Sequence, residues 1–389
     1  MKKSRICVFT GTRAEYGLLR PLMARIRADK NLRLQVIASG MHLSAKFGST
    51  YKEILKDGFT IGYKAFMPVE GDTPLELCST VSAGLTAIGR AYHKLKPDAV
   101  VILGDRFEAL SAAIAAVFLR VPIIHLHGGE STFGLIDEPI RHSITKMSWL
   151  HFTSTETYRN RVIQLGENPK MVFNTGAIGL DNIASMKLLS RKELSNQLKM
   201  DLSGKLAAIT FHPVTLDSES PGKQFSALLE ALDSFPEFKL IFTMPNADPG
   251  NREIVKLIEH YVLKNPSKAR AFASLGQLRY LSLLKHAAIV LGNSSSGLIE
   301  APSFLIPTVN IGDRQKGRVQ GPSVINCPPQ RTAIVSAIKK GLSRGFAEKC
   351  LAAKNPYGAG NTAPKILRAI KNSLRGSVDL KKVFYDLKK

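Results

Sequence analysis

Short apolar runs recur along the first half of the chain, and most of them do not alternate with polar positions. Residues 5–9, 34–38, 99–103, 121–126, 150–153 and 171–173 read as strands. Between them apolar residues return every three or four positions, which predicts helices over 18–28, 75–95 and 107–118. A loop at 10–16 and a polar, glycine-containing stretch near 40–72 interrupt the alternation. The second half has the same style, with strands at 206–211, 239–243, 287–291 and 308–311. Helical stretches are expected near 222–235, 250–263 and 277–285. Strands that are apolar at successive positions are buried on both faces, so this pattern predicts α/β architecture built on parallel sheets. A linker is expected near 180–200, where Ser, Lys and Asn replace the strand pattern.

Chemistry gathers where the apolar runs stop, and ligands of open parallel sheets bind beyond the C-terminal strand ends. After the first run comes Thr10-Gly11-Thr12-Arg13-Ala14-Glu15, which is neither a dinucleotide fingerprint nor a P-loop. There Arg13 either meets a phosphate near a helix start or pairs with Glu15 on the surface. Asp105 and Glu108 follow the run at 99–103, and Asp105 also suits the role of helix N-cap. His125 and His127 alternate and so are expected to share a face. Gly128-Gly129 would allow close backbone approach, leaving Glu130 on a flexible rim. Asp137 can cap the next helix, and four-residue spacing pairs it with Arg141 and Glu138 with His142.

In the second half His212 ends a strand, as a candidate acid-base group or a bland loop histidine. Gly292-Asn293-Ser294-Ser295-Ser296-Gly297 offers hydroxyls and amides to a diphosphate, with Glu300 a turn beyond for ribose hydroxyls. Asp313 to Arg318 adds cations after another strand end. Taken together, these features lead us to expect two sheets facing across a cleft, with anion binding mainly from the second. That arrangement suits a nucleotide-diphosphate sugar.

Composition changes this picture little. The 389 residues suit two domains, and 44% hydrophobic with 22% charged residues is a folded, soluble composition. Cys7, Cys78, Cys327 and Cys350 are too far apart to suggest a disulfide framework or a zinc cluster, which favours a reducing, cytoplasmic setting. No segment is long and apolar enough to span a bilayer. The net charge of +23 raises nucleic acid as a partner. However, residues 331–389 alone hold 14 Lys and Arg against 3 acids, spread without interleaved aromatics or a nucleic-acid motif. Neither nucleic acid nor membrane insertion is therefore expected.

The motifs at these strand ends are GTRAEYG (11–17), GMHLS (40–44), GDRFEAL (104–110), HLHGGE (125–130) and DEPIRHSITKMS (137–148). They continue with TGAIG (175–179), FHPVT (211–215), GNSSSGLIE (292–300) and GDRQKGR (312–318). In them the chain resembles the UDP-N-acetylglucosamine 2-epimerase family, in its hydrolysing branch of bacterial sialic acid biosynthesis. The resemblance covers most of the chain.

It implies a glycosyltransferase-B-like fold of two Rossmann-like domains, at 1–185 and 186–365, with a basic helical tail at 366–389. The implied reaction converts UDP-N-acetylglucosamine and water to N-acetylmannosamine and UDP through a 2-acetamidoglucal. The implied catalytic set is Asp105, Glu130, Asp137 and His212. UDP would be held by Arg13, His212, Ser294, Ser295, Ser296 and Glu300, with Phe211 and Phe242 as candidates to approach the uracil. His127-Gly128-Gly129-Glu130 follows the hydrolysing pattern; nonhydrolysing relatives usually carry Glu-Ala in place of His127-Gly128. No cofactor is implied, since the net reaction is redox neutral. A divalent cation such as Mg2+ has room in the chemistry, but the sequence shows no metal site. A homodimer or other homo-oligomer is implied as well. Alternatives are the same chemistry on UDP-2,4-diacetamido-2,4,6-trideoxyglucose and a glycosyltransferase of the same fold.

Overall fold

The computed structural model describes residues 3–69, 71, 73–133, 135–214, 220–245, 250–376 and 378–387. Thr215, which closes the FHPVT motif, lies outside them. The chain forms two compact units. One holds Met1–Glu130, Asp137–Ala184 and Tyr357–Lys389, the other Ser131–Ile136 and Ser185–Pro356.

Seven parallel strands make the sheet of the first unit: β1 (Ser4–Thr10), β2 (Leu32–Ser39), β3 (Tyr63–Ala65), β4 (Ala99–Leu103), β5 (Ile123–Leu126), β6 (Leu150–Thr153) and β7 (Val172–Asn174). Their order is β3-β2-β1-β4-β5-β6-β7. The second unit has six: β8 (Lys205–Thr210), β9 (Phe238–Thr243), β10 (Ala269–Phe272), β11 (Ile289–Gly292), β12 (Thr308–Ile311) and β13 (Val324–Cys327). They are ordered β10-β9-β8-β11-β12-β13 and again all run parallel.

The apolar runs are explained by burial on both faces. Along β1, Ile6 and Val8 join the core beneath the helix Arg13–Ala28, whereas Cys7 and Phe9 join the core beneath the helices Pro74–Leu95 and Phe107–Phe118. Three strands escape the sequence pattern, β3, β10 and β13, and all three lie at sheet edges where several positions are half exposed. The loop expected at 10–16 is shorter than that. Thr12 and Glu15 form a capping box that starts the first helix at Arg13. The stretch read as a linker near 180–200 is largely helical, with helices Leu180–Ser185 and Arg191–Leu198.

The last helix, Thr362–Ser373, returns to the first unit. Its apolar face, Ala363, Ile366 and Ile370, packs on the Ile6 and Val8 side of the sheet. Asp181 accepts the amides of Thr362 and Ala363, both at 2.7 Å. Residues 378–387 carry no helix or strand. They are tied to the same unit by Lys382, which pairs with Glu167 at 2.6 Å and donates to the carbonyls of Lys146 and Ser148.

In each sheet the order reverses between two central strands, β1 and β4 in the first unit and β8 and β11 in the second. Chains leaving such neighbours turn to opposite faces, and the gap between them is where doubly wound sheets place ligands.

Candidate active site

At the first reversal, Gly11 follows β1 and Glu108 opens the helix after β4. A side chain on Gly11 would meet Glu108 Cβ at 2.8 Å, and one on Gly40 would meet its Cγ at 3.1 Å, so both glycines make room for this carboxylate. Glu108 is buried and pairs with Arg106 (Nε to Oε2, 3.1 Å). Glu15, also buried, accepts the amides of Gly11 (2.8 Å) and Thr12 (3.3 Å). Burial and the neighbouring Glu108 carboxylate push its pKa up to about 8, against the pull of Arg106. Glu15 thus serves the backbone of the loop, and the surface pairing with Arg13 considered from sequence is not what holds it. Arg13 begins the helix; burial lowers its pKa while Glu53 counteracts. His42 bridges Thr10 (2.9 Å) and Thr50 (2.8 Å) and is kept neutral by burial, its pKa near 3.

Asp105 is not an N-cap. That position belongs to Arg106, and Asp105 instead takes the guanidinium of Arg141 through Nε at 2.7 Å and through Nη2. Arg141 is 1% exposed and is the largest fully buried side chain. Its Nη1 also donates to the Glu130 carbonyl (2.9 Å) and to Glu138 (2.6 Å). The expected Glu138–His142 pair forms at 3.2 Å. Asp137 is the first residue of the helix Asp137–Met147 that carries Arg141.

His125 and His127 do not share a face. The strand ends at Leu126, and His127 adopts a left-handed φ of +64°, which turns it away. His125 is an interior residue whose Nε2 donates to the Gly104 carbonyl at 2.8 Å. Burial depresses its pKa to about 3. The Ile178 amide donates to Nε2 of His127 (3.4 Å), which leaves Nδ1–H to face Glu130 Oε1 at 3.1 Å. The same oxygen accepts from Ser154 at 2.9 Å. Glu130 is therefore no rim residue: it is 2% exposed and fixed.

In the second unit, Asn293 clamps His212 through its backbone. The His212 amide donates to Asn293 Oδ1 (2.7 Å), and Asn293 Nδ2 returns to the His212 carbonyl (2.8 Å). This two-way bond joins the chains leaving β8 and β11, 81 residues apart. Arg314 Nη1 and Gln315 Nε2 hold the Asn293 carbonyl at 3.2 and 2.7 Å. Gly292 permits the close approach: its φ is +126°, and a Cβ there would sit 2.0 Å from the Thr210 carbonyl. Ser294, Ser295 and Ser296 are half buried beside it, and Tyr280 donates to Ser296 Oγ at 2.7 Å. Glu300 is largely buried at the end of the helix Ser296–Ile299. Phe211 and Phe242 are buried core side chains. Both pack around Phe225 in the core, at ring distances of 5.5 and 6.4 Å.

Asp105 and the Glu130 backbone thus fall within one network of the first unit, Asp137 begins the helix that carries Arg141, and Arg13 begins the helix after β1. His212, the three serines and Glu300 fall at the second unit's reversal. Sequence reading did not single out Arg141 as the tie between these groups, nor Asn293, nor Ser154; Arg141 and Asn293 lay inside quoted motifs, and Ser154 in none. Among the described residues no group of three His, Cys, Asp or Glu side chains is placed to hold a metal ion, and no helix is long and apolar enough to cross a membrane.

Known proteins bear on this arrangement. The family profile described as UDP-N-acetylglucosamine 2-epimerase matches residues 24–371. The chain is 43% identical, over the whole of both chains, to the GDP/UDP-N,N'-diacetylbacillosamine 2-epimerase (hydrolyzing) of Campylobacter jejuni. It is 40% identical to polysialic acid biosynthesis protein P7 of Escherichia coli, over all of this chain and 98% of that one. Among solved structures, UDP-GlcNAc 2-epimerase from Neisseria meningitidis bound to UDP-GlcNAc superposes with a TM-score of 0.79 at 19% identity. The match covers 95% of this chain and all of that one, a likeness of fold.

Proposed function

The chain belongs to the UDP-N-acetylglucosamine 2-epimerase family, and we propose that it is a hydrolysing 2-epimerase releasing UDP and a free, C2-inverted sugar from UDP-N-acetylglucosamine. The observation that carries this is the buried network in which Arg141 joins Asp105 to the Glu130 backbone while His127 and Ser154 fix the Glu130 carboxylate. Such a network supplies carboxylates in set orientations, as removing and replacing a proton on one carbon requires.

In this reading the second unit holds the nucleotide through Ser294, Ser295, Ser296 and Glu300, and Arg13 adds a cation for phosphate. A carboxylate takes the C2 proton as the C1–O bond breaks. The bonding electrons leave on the UDP oxygen, and a 2-acetamidoglucal remains. His212 stands by the leaving diphosphate, where a donor offsets developing negative charge. Water then adds at C1 while a proton returns to the opposite face of C2. Asp105, Glu130 and Asp137 divide these transfers. The reaction is redox neutral and so asks for no nicotinamide.

Free cysteines support a cytoplasmic location. Exposed Phe66, Leu75 and Phe118 on the first unit support a homodimer or other homo-oligomer. A second substrate, UDP-2,4-diacetamido-2,4,6-trideoxyglucose, is favoured by the 43% identity to a diacetylbacillosamine enzyme.

Proton NMR of the protein with UDP-N-acetylglucosamine in deuterated water tests the reading. The expected result is N-acetylmannosamine deuterated at C2, appearing together with UDP. Turnover of the diacetamido sugar alone would transfer the assignment to the second substrate. Loss of UDP with protium retained at C2 would rule out the glycal route.

A further inference from the structure

The helix Asp137–Met147 carries Asp137, Glu138 and Arg141 in its first half, and its last carbonyls need donors from outside the helix. Two of those donors are local. The Ser148 amide takes the Thr145 carbonyl at 3.1 Å, and its hydroxyl takes that of Ile144 at 2.6 Å. The next comes from the far end of the chain. Lys382 Nζ donates to the carbonyls of Lys146, in the last turn, and Ser148, just past it, both at 2.7 Å. It also pairs with Glu167 Oε2 at 2.6 Å. All three ammonium hydrogens are thereby used, and the charge stands where a helix C-terminus favours a cation.

The segment that brings Lys382 there has a seat of its own. The Tyr385 amide donates to the Gly166 carbonyl at 3.0 Å. The Phe384 ring fills the space a Cβ on Gly166 would need, and the Lys146 ammonium lies over that ring, 4.9 Å from its centroid. Glu167 is 2% exposed and also takes Lys146 at 2.7 Å and His151 at 2.8 Å. Burial would raise its pKa, but these donors bring it down to about 2, so the anchor is an anion.

Two lines lead from this anchor to the Arg141–Asp105 pair. Along the helix, Thr145 Oγ1 donates to the Arg141 carbonyl at 3.1 Å. Across the sheet, His151 stands in register with His125 on the neighbouring strand. His125 Nδ1 lies 3.3 Å from Thr145 Oγ1, and its Nε2 holds the carbonyl of Gly104, the residue before Asp105. We propose that Lys382 is a positioning residue for the reaction proposed above, fixing the C-terminal end of this helix so that Arg141 holds Asp105 and the Glu130 backbone in place. The inference rests on that reaction, and Lys382 acts in it through Arg141.

Lys382→Met in the full chain keeps the apolar stem and leaves Glu167 paired with Lys146 and His151. It should fold and melt about 2–4 °C lower, the effect of one lost hydrogen bond in a unit of this size. Its kcat for the UDP-sugar should fall about tenfold with KM unchanged, a part of the hundredfold that a misplacement of about 1 Å can cost. Lys382→Arg should recover most of that loss, because a guanidinium also donates to a carboxylate and to carbonyls. Phe384→Ala, at a position 60% exposed, loosens the same seat and should lower kcat in the same sense by less. Amide hydrogen exchange should quicken over residues 144–148 in Lys382→Met and stay as in the wild type over the helix Arg13–Ala28. An unchanged kcat, or a raised KM with kcat intact, would overturn the proposal. So would a loss of activity matched by an equal loss of folded protein, which would make Lys382 structural only. A wild type that turned over neither UDP-sugar would refute the reaction by itself. Exchange over 144–148 would then decide for Lys382 alone: faster in the variant, it holds the helix, and unchanged, it does not.

Discussion

Arg141→Gln is the sharpest test of the first-unit network. The substitution removes a cation whose side chain is 1% exposed and leaves Asp105 and Glu138 without their shared partner. It also frees the Glu130 carbonyl that Nη1 held at 2.9 Å. Breaking a fully buried ion pair costs about 3–5 kcal/mol. Here the Asp105 and Glu138 side chains are 20% and 23% exposed, so water re-solvates them in part. The expected loss is then about 3 kcal/mol, at the low end of that range. For a unit of this size it corresponds to a fall in melting temperature of about 6–12 °C. Trp149 is the single tryptophan and lies in the first unit, so its fluorescence follows that unit without interference from the other. Arg141→Lys should recover part of the stability but not the paired bonds to Asp105, since an ammonium cannot match a planar fork. Turnover of both variants should fall, with UDP affinity nearly unchanged. If Arg141→Gln melted within about a degree of the wild type, Arg141 would not be what holds Asp105 and Glu138 in place.

Gly292→Ala forces a Cβ to 2.0 Å from the Thr210 carbonyl at a φ of +126°, so it should destabilise the second unit by about 3 kcal/mol or more, seen as loss of soluble protein or a lowered denaturation midpoint; wild-type stability would contradict the close packing of β8 on β11. Glu15 titrates near 8 in the fold against an ordinary 4.5, so the folded state holds the extra proton between these values and stability declines as pH rises through that window. Glu15→Gln should therefore stabilise the first unit at pH 8.5 and do little at pH 4, by Trp149-monitored denaturation (pH values about these, chosen to bracket the window). A gain independent of pH would count against a proton held on Glu15. His42 and His125 have the opposite linkage, folded values near 3 against an ordinary 6.5. The unfolded chain then binds more protons between those limits, so stability should fall as pH drops below about 6.5, and replacing His125 with Gln should flatten that limb. An unchanged acid limb in that variant would show that His125 is not its source.

Much of the fold was legible in the sequence because its signals are local. A parallel strand buried on both faces must be apolar at consecutive positions, and β1, β4, β5, β6, β8 and β9 show that directly. The residues just past those strands were legible for the same reason, since the doubly wound plan puts ligands at strand ends whatever the details of packing. Edge strands β3, β10 and β13 were not legible: with one side unpaired and several positions half exposed, they lack the apolar run that marks a central strand.

The site was legible only as an inventory. Sequence placed Asp105, Glu130, Asp137 and His212 at suggestive positions, and family motifs grouped them. It did not reveal that Asp105, just ahead of a helix it does not cap, pairs with Arg141, 36 residues on, or that Asn293 grips His212 across 81 residues. Spacing along one helix ranks the partners three and four residues away, but a buried guanidinium is satisfied by whatever acceptors the packed sheet brings within reach. His127 gives the same lesson: a two-residue alternation predicted a shared face with His125, and a left-handed turn at the strand end overrode it. The sequence by itself determined which residue types stand at the ends of which strands, because hydrophobic periodicity is written locally. Only the tertiary structure decided which of those residues touch, because that depends on strand order, on helix packing and on the need to pair every buried charge.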